Sequence, residues 1–257
     1  MITDTGKIVA IIPARYASTR LPGKPLIDLC GKPMIQHIYE RTAQAKLVDF
    51  VIVATDDIRI MEAVENFGGR SILTPTDIPS GSDRIAFASK ELEGISIVVN
   101  VQGDEPLIAP EMIDEAVMPL IQDKEISVST VVKKILSADE LKNPNIPKAV
   151  IDRFGYAMYF SRSPIPYLRD RQNIDEWYLY HDYYKHIGLY VYRKEVLNKF
   201  TTWGESLLER IEKLEQLRML ENGIRIKTVV TKYDTIPVDT IEDVGKVRLL
   251  IEKSQRS

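Results

Sequence analysis

The stretch Lys7-Ile8-Val9-Ala10-Ile11-Ile12-Pro13 is apolar at all five of its central positions. A strand with one solvent face alternates apolar and polar residues, whereas a strand buried on both faces of a parallel sheet is a continuous apolar run. Similar short runs recur at residues 50–54, 70–74 and 95–102. The sequence therefore predicts four buried, parallel strands in its first half.

Helical patterns fill the intervals between these strands. Apolar residues recur there every three or four positions, as expected for helices that pack on a sheet. A chain that alternates strands and helices folds through right-handed crossovers into a twisted sheet with helices on both faces. Residues 1–125 are therefore predicted to form a Rossmann-like, three-layer αβα domain of the α/β class. The predicted helices span residues 34–45, 58–66, 83–92 and 110–121.

The pattern becomes less regular after residue 125. Long irregular stretches separate the strand-like runs there, which indicates a mixed-sheet extension over residues 126–205. Residues 206–257 are predicted to return to the core, first through one helix at 206–220 that Ser206 and Glu209 open with a capping box. No repeat or low-complexity linker interrupts the chain, so we expect residues 1–257 to form a single structural unit. The other predicted elements are strands at 126–134, 148–152, 156–160, 186–192 and 225–230, and a last helix that begins near Thr240.

Composition excludes several classes of protein. The 257 residues carry a formal net charge of −3, so no general basic field is available to attract nucleic acid. Cys30 is the only cysteine, which excludes a disulfide framework and a cysteine-rich zinc site. No apolar run approaches the roughly 18 residues of a membrane span, and residues 1–7 lack the apolar core of a signal peptide. We therefore expect a soluble, cytoplasmic protein that inserts into no membrane.

The loop that follows the first strand is basic. It spans residues 14–26 and contains Arg15, Arg20 and Lys24. Parallel sheets bind ligands outside the carboxyl ends of their strands, and these cations would suit a polyphosphate, because arginine grips phosphate oxygens in pairs and lysine supplies a mobile charge. A solvated basic loop explains the same residues equally well. The loop is not a Walker motif, since no Gly-Lys-Ser/Thr follows a glycine at the required spacing.

Two carboxylates follow the fourth predicted strand, in the segment Gln102-Gly103-Asp104-Glu105-Pro106. Magnesium keeps several waters and takes one or two protein carboxylates together with substrate phosphates. Asp104 is therefore a candidate magnesium ligand, and Asp239, which lies just before the last predicted helix, is a second candidate. A turn residue at Asp104 and a helix cap at Asp239 are the structural alternatives.

A third loop, Ser80-Gly81-Ser82-Asp83-Arg84, leads into a predicted helix. Its backbone N–H groups and hydroxyls are suited to a base or a ribose. The same pattern is typical of an ordinary helix cap. The residues alone leave both interpretations open.

Eight segments of the sequence together are familiar. The longest are the basic loop with the strand before it, at residues 11–26, and the Gln-Gly-Asp-Glu-Pro segment, at residues 99–106. In this order along the chain, the segments resemble the 3-deoxy-manno-octulosonate (KDO) cytidylyltransferase family, also called the CMP-KDO synthetases. The shorter matching segments lie at residues 54–56, 80–84, 159–162, 186–190, 214–218 and 238–240.

The resemblance implies a nucleotidyltransferase. Its members join CTP and KDO to give CMP-KDO and pyrophosphate, with magnesium and usually as a homodimer, and they supply activated sugar for lipopolysaccharide assembly. By position, Arg15 and Lys24 would bind the CTP phosphates and stabilise the transition state, and Asp104 and Asp239 would bind magnesium, so that Arg15, Lys24 and Asp104 form the catalytic set. The positions implied for nucleotide binding are Ala14, Arg15, Arg20, Lys24, Ser80 and Gln102.

The resemblance also implies a sugar site at Arg162, His186, Glu215 and Gln216. Arg162 is chemically suited to the sugar carboxylate through two parallel hydrogen bonds. Without the resemblance, an ion-paired arginine is as good an interpretation of Arg162, and a structural histidine at a strand edge is a better one of His186. Glu215 and Gln216 would otherwise be solvated residues beside an apolar helix stripe.

The sequence departs from the family pattern in two places, and the second of them leaves the sugar open. Ser82 stands where threonine is common in the family, and residues 169–185, rich in tyrosine at 177–184, do not match it closely. The Tyr-rich stretch suits a core or a dimer interface better than a sugar platform. A cytidylyltransferase for another acidic sugar, such as 8-amino-KDO or a sialic acid, is the first alternative. A non-catalytic nucleotide- or sugar-binding protein is the second.

Overall fold

The computed structural model describes residues 6–17 and 21–255, and eleven strands are found in this part of the chain. Nine of them form one sheet, and β2 and β3 form a separate two-stranded ribbon. The strands are β1 (Lys7–Ala14), β2 (Asp28–Leu29), β3 (Lys32–Pro33), β4 (Phe50–Thr55), β5 (Ser71–Leu73), β6 (Ile95–Asn100), β7 (Val128–Lys134), β8 (Lys148–Ile151), β9 (Ala157–Ser161), β10 (Tyr184–Arg193) and β11 (Ile226–Val230).

The main path of the large sheet has the order β11-β7-β10-β6-β1-β4-β5. Strands β6, β1, β4 and β5 are mutually parallel, as the apolar runs predict, and β11 is parallel to β7. Strand β10 is antiparallel to β6, β7 and β8, and β8 and β9 form an antiparallel hairpin at its side. The predicted parallel part and the mixed extension are therefore one continuous sheet. The subdivision of the chain at residues 125 and 205 stays a prediction.

Helices cover both faces of this sheet. Alternate residues of β1 enter two cores: Ala10 and Ile12 pack with the helices on one face of the sheet, whereas Val9 and Ile11 pack with those on the other. This arrangement confirms the predicted three-layer α/β class. The helices are α1 (Met34–Thr42), α2 (Ile58–Asn66), α3 (Gly81–Lys90), α4 (Pro110–Gln122), α5 (Ala138–Lys142), α6 (Trp177–Tyr180), α7 (Lys194–Phe200), α8 (Leu207–Glu212), α9 (Gln216–Glu221) and α10 (Ile241–Gln255).

The prediction of a single helix over residues 206–220 is wrong. The chain forms α8 and α9 instead, and between them Lys213 adopts the left-handed conformation with φ 53° and ψ 49°. The first part of the predicted apolar stripe does not fully reach the core, since Leu207 and Ile211 are 58% and 69% exposed. The predicted capping box is confirmed, because the Ser206 and Glu209 side chains each bond the other residue's backbone N–H.

The Tyr-rich stretch contributes to a small satellite core. Trp177 and Tyr183 are buried there with Ile135 and Leu141. Their polar atoms are satisfied locally, because Trp177 donates to the Arg171 carbonyl and Tyr183 to the Pro166 carbonyl, both at 2.8 Å. This agrees with a core role for two of the aromatic residues. No helix in the described part of the chain is long and apolar enough to cross a bilayer.

Candidate active site

The topology brings two predicted loops together at one edge of the sheet. Strand order reverses between β1 and β6, and such a switch point opens a crevice at the carboxyl ends of the strands. The loop after β1 and the loop after β6 flank this crevice. The loop after β6 approaches the end of β1 so closely that a Cβ atom on Gly103 would lie 2.4 Å from the Pro13 carbonyl oxygen. Only glycine fits this contact without displacing the backbone.

A first cavity, of about 270 Å³, lies between these loops; we call it the basic-loop cavity. It brings together every described residue that the sequence predicts for nucleotide, catalysis and metal. Arg20, which is also predicted to bind the nucleotide, lies outside the described residues. The residues that line the basic-loop cavity include Pro13, Ala14, Arg15, Lys24, Ser80, Gly81, Arg84, Gln102, Gly103, Asp104 and Asp239.

Lys24 lies between the two predicted metal ligands. Its Nζ atom is 3.0 Å from Oδ2 of Asp104 and 3.1 Å from Oδ1 of Asp239, and its side chain is only 13% exposed. A hydrogen bond of 2.9 Å from the Val238 N–H to the Asp104 carbonyl fixes the two acidic loops to each other. Two carboxylates from distant parts of the chain therefore converge on one cation.

The alternative role of Asp239 as a helix cap is taken by its neighbours. The Thr240 hydroxyl accepts from the Asp243 N–H at 3.4 Å, and the Asp243 carboxylate accepts from the Thr240 N–H at 3.2 Å. This reciprocal pair caps α10, so the Asp239 carboxylate can turn toward Lys24. The structure thus favours a charge-binding role for Asp239 over a capping role.

Ser80 is a helix cap, one of the two roles that the sequence leaves open, and its position keeps the binding role possible. Its hydroxyl caps α3 by accepting from the Asp83 N–H at 3.1 Å, and the residue also lines the basic-loop cavity. Arg84, one turn later, was not singled out by sequence reasoning. It is buried, and it donates to Thr74 and, at 2.7 Å, to Asp56. The Ala54-Thr55-Asp56 segment, which matches the family pattern, was the available signal for this pairing.

A second cavity, of about 250 Å³, adjoins the first; we call it the histidine cavity. Pro13, Gly81 and Gln102 line both cavities and so form a shared wall. The register of β10 shifts between Ile187 and Tyr190, and this bulge brings the Gly188 carbonyl to 3.0 Å from Nε2 of Gln102. Bulges of this kind often re-aim groups beside an active site.

Three predicted sugar residues line the histidine cavity. The His186 ring contacts Phe160 and Tyr190, and its Nε2 atom lies 3.1 Å from the Thr130 hydroxyl. Desolvation in this packed environment lowers the pKa of His186 to about 3. The imidazole is therefore neutral at pH 7 and can act only as a neutral hydrogen-bonding group.

Glu215 and Gln216 are the other two predicted sugar residues that line the histidine cavity. Ser82 donates to Oε2 of Glu215 at 2.7 Å, and burial raises the pKa of Glu215 above its usual value. The amide nitrogen of Gln216 is buried and has no hydrogen-bond partner among the described residues. Buried polar atoms are normally paired, so this N–H donor is suited to a hydrogen-bond acceptor on a ligand.

Comparisons with known proteins decide the family. The sequence profile of the family described as Cytidylyltransferase matches residues 9–226. A 3-deoxy-manno-octulosonate cytidylyltransferase of Geobacter metallireducens is 52% identical, over 97% of this chain and 98% of its own length. The chain belongs to the 3-deoxy-manno-octulosonate cytidylyltransferase family. A second relative with the same name, from Geotalea uraniireducens, is 53% identical over 96% of this chain and all of its own.

A solved structure of this cytidylyltransferase family shares the fold. It is described as CMP:2-keto-3-deoxy-manno-octonic acid synthetase complexed with CTP. It is 44% identical, covers 96% of this chain and 99% of its own, and superposes with a TM-score of 0.89. The recognition made from the short motifs is therefore confirmed, together with the enzyme class.

Arg162, the fourth predicted sugar residue, lies outside the lining of both cavities of this cytidylyltransferase. Its guanidinium donates to three carbonyls, those of Glu212 at 2.6 Å, Pro144 at 2.9 Å and Lys213 at 3.2 Å. The structure does not bring it together with His186. Lys213, which lines the histidine cavity, was missed by sequence reasoning, because nothing in the predicted helix distinguishes it from its neighbours.

Proposed function

We propose that this protein transfers CMP from CTP to KDO, releasing pyrophosphate and forming CMP-KDO. The observation that carries the proposal is the pair of adjoining cavities. One has cations and paired carboxylates for a nucleoside triphosphate, and the other has hydrogen-bonding side chains, among them His186 and Gln216, for a sugar. Their shared wall of Pro13, Gly81 and Gln102 supports a direct meeting of the two substrates.

In the proposed reaction, a hydroxyl oxygen of the sugar attacks the α-phosphorus of CTP. The bond from that phosphorus to the bridging oxygen breaks, pyrophosphate leaves with the bonding electrons, and the hydroxyl proton passes to solvent or to a phosphate oxygen. Both substrates are anions, so their encounter is opposed by Coulomb repulsion. Arg15 and Lys24 offset this repulsion and stabilise the charge that develops on the leaving group.

We also propose magnesium as the cofactor. Asp104 and Asp239 fit it, since their oxygens already converge on the ammonium group of Lys24. The described residues contain no group of three or more His, Cys, Asp or Glu side chains arranged for a metal. A two-carboxylate site suits magnesium, which completes its coordination with water and substrate phosphates. Bound there, the ion would neutralise phosphate charge and polarise the reacting oxygens.

The base of CTP is assigned to the shared wall. Gln102 donates its amide N–H groups to the Gly188 carbonyl at 3.0 Å and to Asn100 at 3.2 Å. These two bonds fix the amide so that its carbonyl oxygen is the atom left for a donor on the ligand, such as the amino group of cytosine. Ser80 and the backbone of Ala14 border the same space.

We further propose a homodimer that works in the cytoplasm, where CTP is made, and supplies activated sugar for lipopolysaccharide. Large apolar side chains are exposed within residues 154–180, at Phe154, Met158, Tyr167 and Leu179. Such exposure supports an interface in the mixed-sheet extension. Sedimentation should give a dimer for the natural protein and a monomer for Met158→Glu with Tyr167→Glu. Leu249→Glu, on the exposed side of α10, is the control; a monomeric natural protein would contradict the proposal.

The function is tested by pyrophosphate release from CTP with KDO, 8-amino-KDO and N-acetylneuraminate, each with and without magnesium. Release with KDO that depends on magnesium is the expected result. Preference for another of the three sugars would keep the reaction and replace the substrate. No release with any of them, together with measurable binding of CTP, would show a non-catalytic binding protein instead.

A further inference from the structure

Lys213 has a backbone conformation that its residue type disfavours. Of the described residues other than glycine, only Cys30 and Lys213 have positive φ. A side chain at a left-handed position is strained, and such strain clusters at functional sites where the surrounding structure enforces it. At Lys213 the conformation ends α8, starts the turn into α9, and places the residue at the histidine cavity.

Arg162 is the group that enforces this turn. Its Nε donates to the carbonyl of Glu212 and its Nη2 to the carbonyl of Lys213 itself. The Arg162 backbone N–H and the Ser161 hydroxyl grip the Glu212 carboxylate, at 2.9 and 2.6 Å. Ser161 and Arg162, at the end of β9, thus hold Glu212 and Lys213, the two residues at which α8 ends. Every nitrogen of the Arg162 guanidinium donates to a backbone carbonyl of the protein, so the group is already hydrogen-bonded without a ligand.

One positively charged side chain is available to an anionic ligand in the histidine cavity. Among the described residues of its lining, Lys213 is the only lysine or arginine. His186 contributes no charge at pH 7, because desolvation lowers its pKa to about 3. Glu215 is itself an acid, and so it supplies no positive charge. An acidic sugar in this cavity needs a positive partner, since a buried charge without one is costly.

The present partner of Lys213 is weak. Its Nζ lies 3.7 Å from Oε1 of Glu205, and both side chains are largely exposed, at 71% and 49%. An ion pair of this length at the surface contributes little. The ammonium group can therefore turn from Glu205 to a ligand at small cost, and the lysine stem is long and flexible enough to do so.

We propose that Lys213 binds the carboxylate of the acidic sugar, and that Arg162 is a positioning residue that holds the Lys213 turn. This inference rests on the proposed function, and it replaces direct contact between Arg162 and the sugar.

The first test compares Lys213→Met with the natural protein. The KM for KDO should rise about tenfold, the loss expected for one charge-assisted contact, while the KM for CTP changes less than about twofold. Lys213→Arg should restore most of the sugar affinity. Lys213→Gly removes the charge and relieves the strained conformation, so it should show the same KM increase without a lower melting temperature. An unchanged KM for KDO in Lys213→Met, with active natural protein, overturns the inference. Inactive natural protein overturns the proposed function instead.

A second test isolates the carboxylate. The sugar without its anomeric hydroxyl cannot react, so its binding in the presence of CTP can be measured by calorimetry, both as the acid and as the neutral carboxamide. Lys213→Met should weaken the acid about tenfold and the carboxamide less than about twofold. Equal weakening of both ligands would show that Lys213 acts through shape alone, and would overturn the inference.

The positioning role of Arg162 requires a double-mutant cycle. Arg162→Met should raise the KM for KDO in the natural background and add little in the Lys213→Met background, because its effect passes through Lys213. Equal increases in both backgrounds would assign Arg162 a direct contact with the sugar and overturn its positioning role.

Discussion

The hydroxyl of Ser82 donates a 2.7 Å hydrogen bond to Oε2 of Glu215, and this bond joins the first turn of α3 to the residue that precedes α9. Gly81, the neighbour of Ser82, lines both cavities, whereas Glu215 lines the histidine cavity. A change at the nucleotide side can therefore reach the sugar side through a single contact.

Replacing Ser82 by alanine should shift the pH dependence of sugar use. Burial raises the pKa of Glu215, and the bond from Ser82 opposes that rise, so Ser82→Ala should raise the pKa further. The acid limb of the kcat/KM profile for KDO should then move to higher pH, with a KM for KDO raised about threefold to tenfold. Ser82→Thr keeps the hydroxyl and should restore the natural profile. Superimposable profiles for alanine and serine would contradict the role given to this bond.

Replacing Lys24 by methionine should abolish turnover and change the response to magnesium. The loss of a transition-state cation should lower kcat/KM by at least about a hundredfold. Without the ammonium group, Asp104 and Asp239 face each other across its position and repel, so the variant should melt at a lower temperature. Magnesium should then raise the melting temperature of Lys24→Met by several degrees more than that of the natural protein. A ligand that binds only the folded state stabilises it, and the variant has no ammonium group that competes with the ion.

Lys32→Met is the matched control for this experiment. Lys32 also pairs with a carboxylate, Glu40, at 2.6 Å, but in an exposed position outside the lining of the two cavities. It should leave turnover and the response to magnesium unchanged. If magnesium stabilises all three proteins equally, the carboxylate pair is not the metal site.

His186 should make the protein lose stability in mild acid. Desolvation lowers its pKa from 6.5 to about 3, so between these values the unfolded chain binds a proton that the folded chain does not. The stabilisation is complete above pH 6.5 and is lost as the pH falls toward 3. Between pH 7.5 and pH 5.0 the free energy of unfolding should fall by about 2 kcal/mol on account of this residue. Urea unfolding of His186→Asn should lack this part of the decrease; identical slopes would contradict the shift.

Replacing Gly103 by alanine should displace the loop after β6 from the end of β1, at the border of the basic-loop cavity. The new Cβ atom would lie 2.4 Å from the Pro13 carbonyl oxygen, and a backbone atom cannot move aside cheaply. We expect a loss of about 1–3 kcal/mol in stability and a loss of at least about tenfold in turnover. Gly204→Ala is the control, since nothing lies within 4 Å of a Cβ atom there. Full activity in Gly103→Ala would show that the close approach is not required.

Much of this architecture could be predicted from the sequence, because the deciding features are local. Continuous apolar runs identify buried parallel strands, and β1 and β6 were placed within two residues at each end. The rule that ligands bind where strand order reverses then brings Arg15, Lys24 and Asp104 together without any knowledge of contacts. Asp239, far along the chain, is predicted as a metal ligand from the family resemblance as well as from its place before a helix.

The features that sequence reasoning missed depend on long-range contacts. The apolar stripe over residues 206–220 has helical spacing throughout. The helix α8 nevertheless ends at Lys213, where the carbonyls of Glu212 and Lys213 accept hydrogen bonds from Arg162, some fifty residues earlier. The burial of Arg84 depends similarly on Asp56 and Thr74 from other elements. Each contact pairs single residues that are distant in sequence, and such a pair produces no periodic pattern from which the contact could be predicted.

The wall that Pro13, Gly81 and Gln102 form between the cavities has a consequence for inhibitor design. Ligands that occupy the two cavities separately contact the same three residues, so their facing ends lie close together. A compound that fuses a nucleotide-like anion to a sugar acid would need only a short, stiff linker, and its second half would bind as an intramolecular event at high effective concentration. Such fused molecules would also be selective, since an enzyme with only one of the two cavities would gain nothing from the linkage.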